Sequence, residues 1–253
     1  MDETQKYVGR DLPFVTDPEL QAIGARVGAL RASVSRGLGA LLDAWRDRVV
    51  GPEFTMTVGV LLRIMECALS VEVLASKGRQ RDAAVLVLTL MELRLDLQYV
   101  AQDPTRASVW LEHADKGRKP WRVGTQIKAT CQEPREREAE FANYQHFSMV
   151  KHGNPLGGIA SFPVEMSTEG MVLRIDPDDK VNLNLCSSCL FAAGSCLRHA
   201  FWAAVSLSRA TGAEIDQAMV DIEKAMAALD QAHNNHVHRM VEAWMSPSTA
   251  PDA

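Results

Sequence analysis

The sequence predicts an all-α fold, a helical bundle of about seven to eight helices with a small β-hairpin or loop inserted near residues 157–176. Three observations carry this. Apolar residues recur at three–four spacing along most of the chain, which places them on one face of successive helices. Strands and helices do not alternate regularly, and no glycine-rich phosphate loop joins a strand to a helix, so a parallel sheet is not expected. One stretch alone, "GIASFPVEMSTEGMVLRIDPDD", breaks the helical pattern with β-branched and aromatic residues around a turn signal at "STEG".

The first helix is read from Leu20, Ile23, Val27, Leu30, Val34, Leu41 and Trp45, with one gap near Leu38. Asp17 is placed to cap it, Pro18 occupies its first turn, and Gly51-Pro52 is expected to end it. A second helix is expected from about Pro52 to Ser76, closed by Gly78. The third, about Arg81 to Ala101, contains "AAVLVLTLMELRLDLQYV" and is apolar nearly all round, the pattern of a central buried helix. Asp103-Pro104 opens a shorter fourth helix expected to stop near Gly117, and a fifth segment covers Trp121 to Cys131. The sixth begins near Glu133-Pro134 and ends at His152, where Gly153 and Pro155 prevent continuation. The seventh runs from about Val181 to Thr211. The eighth starts after Gly212 with a seam of Ile215, Met219, Ile222, Met226, Leu229, His233, His236 and Met240. This organisation gives an N-terminal arm over 1–16, one helical domain over 17–246 and a disordered tail over 247–253.

Composition narrows the function classes. The 253 residues carry a net charge of −5, which disfavours non-specific nucleic-acid or membrane binding as the main activity. The five cysteines lack the spacing of a secreted disulfide framework and read as reduced thiols of a cytoplasmic protein. "LCSSCLFAAGSCLRHAFWAAVSL" is long enough to span a membrane. It contains Arg198 and His199 and is diluted by Cys, Ser and Ala, so it reads as a core helix. "CSSC" at Cys186–Cys189 has no second pair to complete a zinc site and reads as close helix packing. No histidine has a glutamate three residues before it, as a di-iron bundle requires. No metal or cofactor is implied. His233 and His236 lie in the last helix's seam, near His238, and read as residues that set packing or a partner.

The candidate site starts from a polar stripe. Tyr144, Ser148 and His152 are four residues apart on one helix face, with Gln145 beside them. Such a stripe needs partners if it is buried. Glu92, Arg94 and Asp96 on the third helix and Arg63, Glu66 and Glu72 on the second can supply them. Glu92 is expected to be buried near His152, and Glu92, Arg63, Tyr144, Ser148 and His152 form the candidate binding set. The bland reading of the same cluster is a polar network that fixes helix register. Arg118, Lys119, Arg122 and Lys128 with Trp121 form a basic–aromatic patch that could touch RNA, or equally a solvated connector.

The run "AAVLVLTLMELRLDLQYVAQDPTRASVW" followed by "YQHFSMVKHGNP" resembles a bacterial family of helical proteins, the domain of unknown function 5677 family. The matching positions are Glu92, Tyr99, Asp103, Pro104, Tyr144, Ser148 and His152. The family's Arg four residues before the glutamate is replaced by Leu88, and Arg63 or Arg94 is the candidate substitute. More loosely, the chain resembles HEPN-like bundles of bacterial defence and toxin systems, whose nucleases use an Arg and a His with four to six residues between them. Arg106 and His113 match that spacing as weak catalytic candidates, at a level expected by chance. The resulting expectation is a soluble, cytoplasmic binding or interaction module for a partner or small ligand, in a bacterial defence or stress setting. The alternative is a HEPN-like ribonuclease using the Arg/His pair. A homodimer is expected through the distal end of the last helix, with His233 and His236 in its seam, and no membrane association.

Overall fold

The computed structural model describes residues 14–113, 116, 119–151, 164–167, 170–173 and 181–245. Most of the expected N-terminal arm, the tail, and His152 with Gly153 and Pro155 lie outside them. The helices are α1 (Pro18–Trp45), α2 (Pro52–Ser76), α3 (Gln80–Ala101), α4 (Arg106–Glu112), α5 (Val123–Thr130), α6 (Pro134–Lys151), α7 (Leu183–Ser208) and α8 (Ala213–Met245). Between α6 and α7, β1 (Val164–Ser167) pairs antiparallel with β2 (Gly170–Leu173), Val164 opposite Leu173 and Ser167 opposite Gly170. The fold is an all-α bundle with this one hairpin inserted.

Local chemistry accounts for most boundaries. Asp17 Oδ1 accepts from the amides of Glu19 and Leu20 at 3.1 and 2.8 Å, and Pro18 follows as the first helical residue. α1 stops at Trp45, earlier than Gly51-Pro52 would require. Asp47 there takes the left-handed conformation at φ 62°, which a short polar side chain tolerates. Gly78 closes α2 at φ 69°, with the Arg79 amide bonded back to Leu74 O at 2.8 Å. A side chain at Gly78 would also lie 2.6 Å from Val181. α4 ends at Glu112, short of Gly117, and Arg209 at φ 49° ends α7 three residues before Thr211.

α7 is the central helix and packs on α1, α2, α3 and α8. Its small residues permit this. A Cβ on Gly194 would lie 2.2 Å from Leu229 of α8 and 3.3 Å from Leu30 of α1. On the other side of the same contact Gly37 of α1 makes room for the ring of Phe201, which a Cβ would approach to 2.4 Å. Among the described residues α7 is the one helix long and apolar enough to cross a membrane, and it forms the core here. The expected seams of α1 and α8 meet each other: Leu20, Ile23, Val27, Leu30, Val34 and Leu41 are buried, as are Ile215, Ile222, Met226 and Leu229. Leu38, read as a gap, is buried as well.

The distal histidines of α8 pack within the chain. His236 is buried within the chain, its Nδ1 3.0 Å from Glu19 at the start of α1. His233 stacks on Phe191 with ring centroids 4.5 Å apart and bonds Ser187 through Nδ1 at 2.8 Å. These histidines complete the intramolecular seam because α1 and α7 extend alongside the distal half of α8. This is the packing role expected of them.

Candidate functional site: a polar-lined cavity beside the central helices

The C-terminal half of α3 carries three charged side chains, and they point in two directions. Glu92 and Asp96 are four residues apart on one stripe, and Arg94 lies between them on another side of the helix. α6 runs antiparallel along α3, so that Glu92 meets Tyr144 while Arg94 meets Glu140 one turn earlier in α6.

On the first stripe, Tyr144 Oη donates to Glu92 Oε1 at 3.1 Å. Burial first, then the adjacent Glu92 carboxylate, pushes the Tyr144 phenol up to about 12. Lys119 Nζ lies 3.5 Å from Glu92 and 3.0 Å from Asp96. Asp96, buried, also accepts from Trp121 Nε1 at 3.0 Å and Gln126 Nε2 at 2.6 Å. Lys119 and Trp121 are thus turned inward to hold the connector before α5 against α3. Of the residues read as a basic–aromatic patch, Lys119, Arg122 and Lys128 are exposed, Trp121 is half-buried, and Arg118 lies outside the described residues.

On the second side, Arg94 is buried and its Nη2 pairs with Glu140. Its Nε is buried with no acceptor. A guanidinium has five N–H donors, and Nη2–Glu140 is its hydrogen bond among the described residues. Arg94 and Glu140 form part of the wall of a cavity of about 430 Å³. α6 packs on α3 and α5 and makes little contact with α7, and the cavity is the space this leaves. Asn143, His146 and Phe147 of α6 and His233 of α8 line it, facing Ser188, Phe191, Ala192, Ser195 and Cys196 of α7 and Met91 of α3. Burial lowers the pKa of His146 and His233.

Behind the cavity a second polar chain supports α7. Ser195 Oγ lies 3.3 Å from His199 Nδ1, and Arg198 Nη1 lies 3.5 Å from His199 Nε2. Arg198 and Trp202 both donate to Glu223 Oε1 at 2.7 Å. Burial, then the charges of Arg94 and Arg198, holds His199 down to about 4. The thiols here are not primed for reaction: burial pushes Cys186 up to about 12 and Cys196 to about 11, and all five cysteines are free.

The expected site residues divide as follows. Glu92 and Tyr144 are in contact, with Glu92 half-buried rather than buried, and Ser148 is half-buried one turn further along α6. His152 lies outside the described residues. Arg63 is a correction: it sits on the exposed face of α2, paired at 3.3 Å with Glu66, and the buried arginine near the site is Arg94. Arg106 folds back over the Tyr99 ring at 3.9 Å and donates to Tyr99 O at 2.8 Å. His113 is half-buried and bonds Val109 O at 2.9 Å. Among the described residues no group of three or more His, Cys, Asp or Glu is placed to hold a metal ion. Sequence reasoning missed Glu140, Asn143 and His146 because "PREREAEFANYQHF" reads as a solvated, highly charged helix start. The available signal was the spacing of Glu140, Asn143, Tyr144 and Phe147 on one face. No protein-family model, curated protein or solved structure matches this chain.

Proposed function

We propose that the protein is a binding module that holds a small ligand in the cavity between α3, α6, α7 and α8. The observation that carries this reading is the buried Arg94, which lines a cavity of about 430 Å³ and whose guanidinium Nε has no acceptor. Binding cavities commonly hold roughly 300–1,000 Å³ and combine apolar walls with a few convergent polar groups. Here Phe191, Phe147 and Met91 supply the apolar wall, and Arg94, Asn143, Ser188 and Ser195 the polar groups. The Glu92–Tyr144 contact fixes α6 on α3 and so sets the shape of the cavity from outside it. A ribonuclease built on Arg106 and His113 draws no support from the geometry. The two are seven residues apart along α4 and its cap, roughly 10 Å of helix rise, and each is engaged locally.

A thermal-shift screen of a fragment library tests the reading, run on the wild type and on Ala192→Trp, which fills the cavity from α7. Fragments that stabilise the wild type and leave the filled variant unaffected are expected. A library that stabilises neither, or both equally, overturns the reading.

A further inference from the structure

The chemistry of the wall limits what the cavity can take, and the inference drawn from it rests on the ligand-binding reading above. We infer that the occupant is an uncharged, planar molecule with a hydrogen-bond acceptor at one end, of the class of aromatic carboxamides and oxo-substituted heteroaromatic rings.

Charge is the first constraint. Arg94 and Glu140 are the two formally charged side chains in the wall, and they are paired with each other. Arg198, three residues beyond Ser195 on α7, is likewise paired, with Glu223 at 2.7 Å. His146 and His233 are driven toward the neutral form by burial. The cavity therefore offers no unspent charge. An anion gains a counter-ion only by taking Arg94 from Glu140, which leaves that carboxylate unpaired beside it. A cation faces the same exchange at Glu140.

Planarity is the second constraint. Phe191 and His233 both line the cavity and already lie nearly parallel, with 13° between their planes and 4.5 Å between centroids. A flat guest meets aromatic surface in an offset arrangement that a puckered ring of equal size cannot match. The acceptor is the third. Arg94 Nε is buried without a partner and the guanidinium is only partly satisfied by Glu140. An uncharged carbonyl on the guest brings the missing acceptor without disturbing the ion pair. An under-satisfied buried donor is what such a group relieves.

Matched probes test this on the full chain. Benzamide and benzoate, and nicotinamide and nicotinate, share shape and differ in charge, while cyclohexanecarboxamide keeps the amide and loses planarity. Affinities are read by calorimetry or ligand-observed NMR. Each amide is expected to bind about tenfold more tightly than its acid, the discrimination set by the unpaired-charge penalty, and benzamide more tightly than cyclohexanecarboxamide. Glu140→Gln frees the charge of Arg94 and is expected to reverse the preference toward benzoate. The wild-type pairs decide the class even where that variant folds poorly. Acids that bind the wild type as well as the amides, or amides that do not bind, overturn the class. If the fragment screen still finds occupants excluded by Ala192→Trp, the cavity reading stands without it; if it finds none, both fall.

Discussion

Acidification should weaken this protein through His199 in particular. The neutral ring accepts from Arg198 at Nε2 while Nδ1 faces Ser195. Protonating Nε2 would set an N–H against the Arg198 guanidinium, with Arg94 also nearby and Glu140 and Glu223 only partly compensating. The folded chain therefore holds His199 down to about 4, against 6.5 for a free histidine. A depressed histidine pKa contributes stability that is present above the unfolded value and is lost as pH falls, because the unfolded chain binds the proton first. Between pH 7 and pH 5 the unfolded chain takes up most of that proton and the folded chain little, a loss of about 2 kcal/mol. His146, His233 and His236 are also lowered and add to the slope, so the measurement is a comparison. Unfolding free energies from urea titrations at pH 7, 6 and 5 are taken for the wild type and for His199→Gln, which keeps a hydrogen-bonding side chain and does not titrate. The wild type should lose about 2 kcal/mol more than the variant over that range. Parallel pH profiles would refute the argument, as would an NMR titration that places His199 near 6.5.

Three further outcomes are expected. Gly194→Ala should destabilise by about 1–3 kcal/mol through overpacking against Leu229. Gly24→Ala, with nothing within 4 Å of the added carbon, should stabilise by about 0.5–1 kcal/mol; thermal melts that move the same way for both would contradict the packing of α7. Asp96→Ala strands the donors of Lys119, Trp121 and Gln126, and should cost about 3 kcal/mol or more. It should also speed limited proteolysis between residues 116 and 123 before any other site; unchanged cleavage would show that the carboxylate does not hold that connector. In an alkaline titration followed by phenolate absorbance, Tyr144 should ionise near 12, and Tyr144→Phe should remove that late step; a spectrum complete by pH 11 would mean that the Glu92 contact does not form.

The bundle was legible because helix periodicity and end signals are local. The α1 and α8 seams, the Asp17 cap and the Gly78 stop each depend on residues within a turn or two of one another, and the structure follows them. The packing role of "CSSC" and its neighbours was legible from side-chain size alone. The site was less so, because it depends on which helix crosses which. Periodicity placed Tyr144 on a polar stripe but did not separate Arg63 from Arg94, both arginines on apolar helices. What separates them is tertiary: α3 is covered by α6 and α7, while Arg63 lies on the uncovered face of α2. Glu140 was hidden in a run of exposed charges, and only the antiparallel passage of α6 along α3 selects it as the partner of Arg94. His233 and His236 had the right periodicity but no legible neighbour, since a seam does not state whether its complement lies in the same chain.

The floor of the cavity is set by Ser188, Ala192, Ser195 and Cys196, side chains of one or two heavy atoms projecting from the helix that also anchors the bundle. The shape of the chamber is thus written in small residues of the central helix. Exchanging one of them for Val, Thr or Leu would redraw the outline a guest must match and leave every helix axis where it is. Selectivity and architecture are in this sense separately adjustable: Gly194 and Phe201 hold the frame, while four neighbouring positions on the same helix can be re-cut for different occupants.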